Sequence, residues 1–257
     1  MYPIVHLGSV QLPSYGTIIF IGLVIGVIIA MFTAKKYNIA KTDIALSTIL
    51  ASIGMIIGAK LIYILTVIPE VISSFSYVKT HIPETLMYMF GGYVFYGGLI
   101  GAIFGYWFYC RYFQVDFPKV MNIISPIIPL VHSFGRIGCF LGGCCYGIEY
   151  HGKFAIYFPE NEFVTDLNNV PRFPVQLLES GINFVLFVVF MFYCRKPRKE
   201  GSILGIYFIC YAIIRFSLEF LRGDVERGIF LGVSTSQWIS LILIPIGIYL
   251  ITRKKSA

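Results

Sequence analysis

Residues 15–34 read YGTIIFIGLVIGVIIAMFTA. The run carries no charged side chain, and it matches the ~20 residues that a helix needs to cross a hydrocarbon core. It reads as a membrane-spanning helix. Further apolar runs lie outward from it, near 44–66, 95–113, 119–140, 175–194, 202–221 and 236–252. The expected fold is an all-α integral membrane protein of about seven transmembrane helices, a single polytopic membrane domain over residues 1–257. The run at 119–140 is the weakest, because Pro126 and Pro129 interrupt it ahead of a Gly/Cys-rich segment. It reads as a broken or partly re-entrant helix, a shape tolerated at that depth only when buried in protein or lining a wet cavity.

Composition agrees. Of 257 residues, 57% are apolar and only 13% charged, and the mean hydropathy is +0.79. Ordinary soluble domains carry roughly 25% charged residues. A water-soluble globule cannot hide this much apolar surface. With 23 Phe and 18 Tyr, the chain is not a disordered one either. The net charge of +7 does not imply nucleic acid, because the basic residues sit in short clusters between apolar runs. That distribution sets membrane orientation. Lys35, Lys36, Lys41, Arg111, Lys119, Arg195, Lys196, Arg198, Lys199, Arg253, Lys254 and Lys255 fall on one side. The smaller set, Lys79, Lys153, Arg172, Arg222 and Arg227, falls on the other. The larger set is expected in the cytoplasm, which puts the C-terminus inside and the N-terminus outside. No basic residue precedes Lys35, so the first run reads as a retained span and not as a cleaved signal. The segments 67–92 and 141–174 contain no span and fall on the outer side. The second has alternating pieces near 153–158 and is expected to form a small hairpin or a membrane-parallel segment.

Ionisable residues inside a span cost about 2.5–3.5 kcal/mol each on insertion scales, so each asks for a reason. Arg215, Glu219 and Arg222 follow an i, i+4, i+7 spacing, which expects one face of the sixth span. One reading is an internal salt bridge that lets the helix insert. The other is a cationic face that grips a phosphate through guanidinium forks, with Glu219 orienting them. A second cluster runs from His132 through Gly135-Arg136-Ile-Gly138-Cys139 to Cys144-Cys145-Tyr146-Gly147. Its glycines permit close backbone approach. Arg136 is either a snorkelling helix-end residue or part of an anion site shared with Arg215. His132, Cys139, Cys144 and Cys145 are soft donors, but the C-x4-C-C spacing lacks a C-x2-C knuckle, and adjacent cysteines rarely ligate one ion comfortably. These cysteines read as small apolar packing residues; metal and redox chemistry are the alternatives. Gly97, Gly101 and Gly105, like Gly22/Gly26 and Gly54/Gly58, have the four-residue spacing of close helix packing. Tyr15 and Tyr96 are interfacial anchors or donors to a lipid headgroup. Gln176, Glu179 and Gln237 add hydrogen-bonding capacity near the outer face, with structural roles equally open.

These residues carry a resemblance. The chain is similar to the bacterial prolipoprotein diacylglyceryl transferases nearly end to end. The match comprises Pro13-Ser-Tyr15-Gly16, Gly58-Ala-Lys60-Leu-Ile-Tyr63, Phe95-Tyr96-Gly97-Gly98-Leu99-Ile100-Gly101, Gly135-Arg136-Ile-Gly138, Pro174-Val-Gln176-Leu-Leu-Glu179 and Arg215-Phe-x-x-Glu219-Phe-x-Arg222. The resemblance implies a multi-pass protein of the bacterial cytoplasmic (inner) membrane, acting toward the outer leaflet. The implied partners are phosphatidylglycerol, membrane lipids and the prolipoprotein signal peptide with its lipobox cysteine. A diacylglyceryl group passes to that thiol, a thioether forms and glycerol 1-phosphate leaves; no metal or organic cofactor and no nucleic acid is implied. Carried over residue by residue, Arg136 becomes the lipid-binding arginine, Arg215 and Glu219 the essential pair, and Tyr15 and Gly98 residues the family needs. The chain departs from the family pattern at Tyr96 (usually His), Cys139 (usually Asn), Cys144 (usually acidic) and Lys60 (usually Arg).

The expected catalytic residues are therefore Arg215, Glu219, Tyr96 and His132. Tyr96 orients the substrate thiol, and His132, one helical turn before Arg136, is the candidate base. The expected substrate-binding residues are Arg136, Tyr15, Gly98, Gln176, Cys139 and Arg222. The departures leave two alternatives: a non-catalytic phospholipid-binding or lipid-handling paralogue on the same scaffold, and a metal- or thiol-handling protein.

Overall fold

The computed structural model describes residues 2–8, 10–74, 80–158, 169–224 and 228–253. A two-stranded antiparallel hairpin opens the chain, β1 (Ile4–Leu7) and β2 (Val10–Pro13), with Ile4 opposite Pro13. The helices are α1 (Ser14–Ala34), α2 (Lys41–Ser73), α3 (Ile82–Gly91), α4 (Phe95–Tyr112), α5 (Phe117–Ile124), α6 (Ile128–Gly142), α7 (Val175–Tyr193) and α8 (Ser202–Leu218). A short hairpin, β3 (Ile229–Phe230) and β4 (Val233–Ser234), leads into α9 (Thr235–Thr252). Among the described residues, six helical stretches are long and apolar enough to cross a membrane, and α3 with α4 makes a seventh that is bent by 66°. The chain is an all-α multi-pass membrane protein, with two small hairpins among its described residues.

Two local features go beyond the sequence expectation. α2 continues past its apolar run to Ser73, with Pro69 inside its last turns. With α3, it makes most of the described part of 67–92 helical. The interrupted span breaks at a 3-10 turn, Ser125–Ile127, and then continues, so Phe117–Gly142 remains one span and the most buried of them. Pro129 sits in the first turn of α6, where its missing N–H costs no intrahelical bond.

The chain groups into two compact units, Asn38–Val120 and Met1–Tyr37 with Met121–Ala257. In the first, α2 packs on α4 along a glycine seam. A Cβ at Gly58 would lie 2.3 Å from the Gly97 carbonyl oxygen, and one at Gly101 would lie 2.0 Å from that of Gly54. Backbones in such contact are what the four-residue spacing allows. Lys60 donates to the carbonyls of Phe90 and Gly92, the latter at 3.1 Å. Its ammonium lies 3.8 Å from the centre of the Tyr93 ring. This intramembrane lysine therefore fastens the bend between α3 and α4.

In the second unit, α1 lies on α6, with Gly22 against Phe134 and Gly26 against Ile127. α6 meets α7 through the Ser133 and Ser180 hydroxyls, 2.9 Å apart. α8 meets α9 at Gly205 and Gly247. Asn122 bonds Arg198, Lys199 and Gly201, which anchors the α7–α8 connection. The segment after α6 forms isolated antiparallel bridges and not a regular hairpin: Gly147 with Arg222, Glu149 with Arg172, and Ile156 with Arg172. They close over Tyr146, Phe158 and Phe140. Residues 159–168 of the expected 141–174 hairpin lie outside the described residues.

Candidate active site

α6 carries His132 and Arg136 one turn apart, and both face Glu179 on α7. His132 Nε2 is 3.3 Å from Glu179 Oε1, and Arg136 Nη2 is 2.5 Å from Glu179 Oε2. The Glu179 side chain is 2% exposed. A carboxylate so buried is tolerable only when its charge is paired, and the guanidinium and imidazole at these distances supply that pairing. At the end of α8, Arg215 Nη2 is 2.8 Å from Glu219 Oε2. The charge of Arg215 also acts on Glu179, so two guanidiniums from different helices share one electrostatic neighbourhood. Arg136 Nε, Arg215 Nη1 and Gln176 Oε1 are buried without a hydrogen-bond partner among the described residues. An unmade buried hydrogen bond costs ~1–3 kcal/mol. Two cationic N–H donors and one acceptor in that condition suit an anionic, hydroxyl-bearing ligand.

Tyr15, in the first turn of α1, stands beside this site. A Cβ at Gly138 would come 3.2 Å from the Tyr15 Cα and carbonyl oxygen, so the second glycine of Gly135-Arg136-Ile-Gly138 lets α1 close on α6 two residues after the arginine. Tyr15 lies within electrostatic range of Arg136, Cys139, Cys144 and Cys145.

The loop after α6 turns back at Gly143, which adopts a left-handed φ of 74°. Cys145 is also left-handed, at φ 56°. The sulfurs of Cys139, Cys144 and Cys145 all fall within 4.8 Å of one another. Gln176 Nε2 pins the loop by donating to the Cys144 carbonyl at 3.0 Å, and Arg136 Nη1 lies 3.9 Å from Cys139 Sγ. Hydrogen bonds from Cys139 and Cys144, helped by the charges of Arg222 and Arg136, hold the Cys145 thiol well below its usual range. The Cys144 thiol receives a hydrogen bond from Cys139 that favours its thiolate, yet contact with Cys145 and burial push it up to about 11.

The chain matches the family model for prolipoprotein diacylglyceryl transferase over residues 3–253. It belongs to that family. Its relatives include the phosphatidylglycerol–prolipoprotein diacylglyceryl transferase of Clostridium tetani, 35% identical over 95% of this chain and 94% of that protein. The second such enzyme of Clostridium perfringens is 31% identical over 96% and 93%, and that of Legionella pneumophila is 29% identical over 97% and 95%.

Set on this transferase scaffold, the expected site residues divide. His132, Arg136, Cys139, Gln176, Arg215, Glu219 and Tyr15 belong to one unit. Tyr96 and Gly98 belong to the Asn38–Val120 unit. There Tyr96 is 42% exposed and edge-on to Phe95, and Gly98 packs against Met55 and Ala59. The expectation that Arg222 shares a helical face with Arg215 and Glu219 does not hold. α8 ends at Leu218, tightens into a 3-10 turn over Glu219–Leu221, and Arg222 is extended. Its guanidinium pairs with Asp224, with Nε 2.9 Å from Oδ1, while its backbone bridges Gly147. The salt-bridge reading of Arg215 and Glu219 is realised, although Arg precedes Glu. Gln237 forms a capping box with Ser234 at the start of α9. Glu179 is the residue that sequence reasoning underrated in this transferase. Its signal was a carboxylate in the apolar α7, placed to meet a second charged helix.

Proposed function

We propose that this protein transfers the diacylglyceryl group of phosphatidylglycerol to the lipobox cysteine thiol of a prolipoprotein, the first step of lipoprotein maturation, at the outer leaflet of the cytoplasmic membrane. The family match over residues 3–253 carries this reading. The Arg136–Glu179–His132 chain beside Arg215, buried at Arg136 and Glu179 and half-buried at His132, supports a route for it.

The substrate sulfur attacks the glycerol carbon that bears the phosphoester. A carbon–sulfur bond forms, the carbon–oxygen bond breaks, and its electron pair stays on the phosphate oxygen of the departing glycerol 1-phosphate. Arg136 and Arg215 offer donors where that charge develops, which is the position at which fixed dipoles lower a barrier most. A free thiol ionises near pH 8.5, and a cationic pocket favours its thiolate. His132 serves as base: Glu179 Oε1 accepts from Nε2–H, which leaves Nδ1 as the nitrogen that takes the thiol proton. Glu219 fixes the Arg215 fork. Gln176 and Tyr15 hold the loop and the helix start around the lipid headgroup.

The test is direct. Purified protein, phosphatidylglycerol vesicles and a lipobox peptide should yield a peptide heavier by one diacylglyceryl group and an equal amount of glycerol 1-phosphate. Lipid binding with no glycerol phosphate released would favour the non-catalytic reading.

A further inference from the structure

The mechanism makes no use of the three thiols at the end of α6, although their arrangement is the densest set of soft donors among the described residues. Spacing alone argues against a metal site, since C-x4-C-C has no knuckle and adjacent cysteines usually point apart. The fold removes that objection. Left-handed turns at Gly143 and Cys145 bring the chain back over α6, and the three sulfurs gather within 4.8 Å of one another. His132 is not part of the group: its ring nitrogen faces Glu179. Among the described residues the donor set is therefore three sulfurs without a fourth ligand, which departs from the four-donor set of structural zinc.

We propose that Cys139, Cys144 and Cys145 form a three-sulfur site for a soft, thiophilic d10 cation of the copper(I) class. Thiolate sulfur selects such ions over hard ones. A planar three-sulfur site with bonds of about 2.3 Å places its sulfurs about 4.0 Å apart, inside the 4.8 Å within which these three fall. The site has a floor and an entrance: Cys139 is buried, Cys145 half-buried and Cys144 exposed. It is braced from behind, because Gln176 holds the Cys144 carbonyl and the Gly147–Arg222 bridge holds the loop's far end. Three thiolates with one monovalent ion leave two negative charges, and the guanidiniums of Arg136 and Arg222 both act on this cluster. The proposal stands apart from the transferase reading, because it concerns binding and not turnover.

The test uses full-length protein in detergent, fully reduced and without oxygen, titrated with copper(I) against a competing chromophoric chelator. The expected result is one equivalent retained per chain, with X-ray absorption reporting three sulfur neighbours at about 2.3 Å. Cys144→Ser and Cys145→Ser should each weaken retention by at least about a hundredfold while keeping the wild-type melting temperature. A chain with Cys110, Cys194 and Cys210 all replaced by Ala should bind as wild type. If Cys145→Ser fails to fold, the exposed Cys144→Ser decides. Absence of stoichiometric retention, or retention unchanged in Cys144→Ser, would each overturn the proposal.

Discussion

Glu179 Oε2 stands 2.5 Å from Arg136 Nη2, across the packed faces of α6 and α7. The same carboxylate reaches His132 through its other oxygen and feels the charge of Arg215. One acidic group thus organises the basic residues of two other helices inside an apolar bundle.

Glu179→Gln keeps the shape and removes the charge. It leaves Arg136 buried without its counter-ion, and breaking a buried pair from one side costs about 3–5 kcal/mol. The melting temperature in detergent should fall, and peptide lipidation should drop by at least about a hundredfold. A variant with near-normal turnover would remove Glu179 from the site.

His132→Gln removes the proposed base and retains a hydrogen bond to Glu179. Lipidation should slow by about a hundredfold or more at neutral pH and recover in part as the pH rises toward the free thiol's own ionisation near 8.5. A rate unaltered across pH 6–8 would assign the proton to another acceptor.

Gly138 and Gly142 lie one turn apart on α6 and make opposite predictions. A Cβ at Gly138 meets the Tyr15 backbone at 3.2 Å, while one at Gly142 meets nothing within 4 Å. Gly138→Ala should push α1 away and impair lipidation. Gly142→Ala should leave activity intact and stabilise the helix by ~0.5–1 kcal/mol. Equal effects of the two changes would contradict the packing described for Tyr15.

Gly101→Ala places a methyl group on the Gly54 carbonyl. The α2–α4 seam must open, at a cost of about 1–3 kcal/mol, read as a lower unfolding midpoint in detergent.

The spans were legible because a hydrocarbon core demands long apolar runs, and few other folds produce them. The glycine seams were legible too: Gly54, Gly58, Gly97 and Gly101 announce themselves by spacing. Arg222 was not, because helical periodicity assumes the helix continues, whereas α8 tightens at Glu219 and releases the next residues to bridge Gly147. The hairpins were missed because strands of two to four residues carry no usable alternation. The β3–β4 turn rests on a leucine in left-handed conformation, Leu231 at φ 53°, followed by Gly232 at 76°, where asparagine or glycine would be expected. The Cys139–Cys144–Cys145 cluster depends on two left-handed residues that no spacing rule reveals. The Ser234–Gln237 capping box, by contrast, was present as a readable Ser-x-x-Gln pattern.

The central claim is that Arg136 and Arg215, on separate helices, act on one lipid phosphate. The most direct measurement is phosphatidylglycerol-dependent lipidation of a lipobox peptide, followed by mass, in Arg136→Ala and Arg215→Ala. Both variants should fall by at least about a hundredfold, and the double variant should lose far less than the product of the two, since both arginines serve one transition state. Normal turnover in either single variant, or losses that multiply fully, would contradict it.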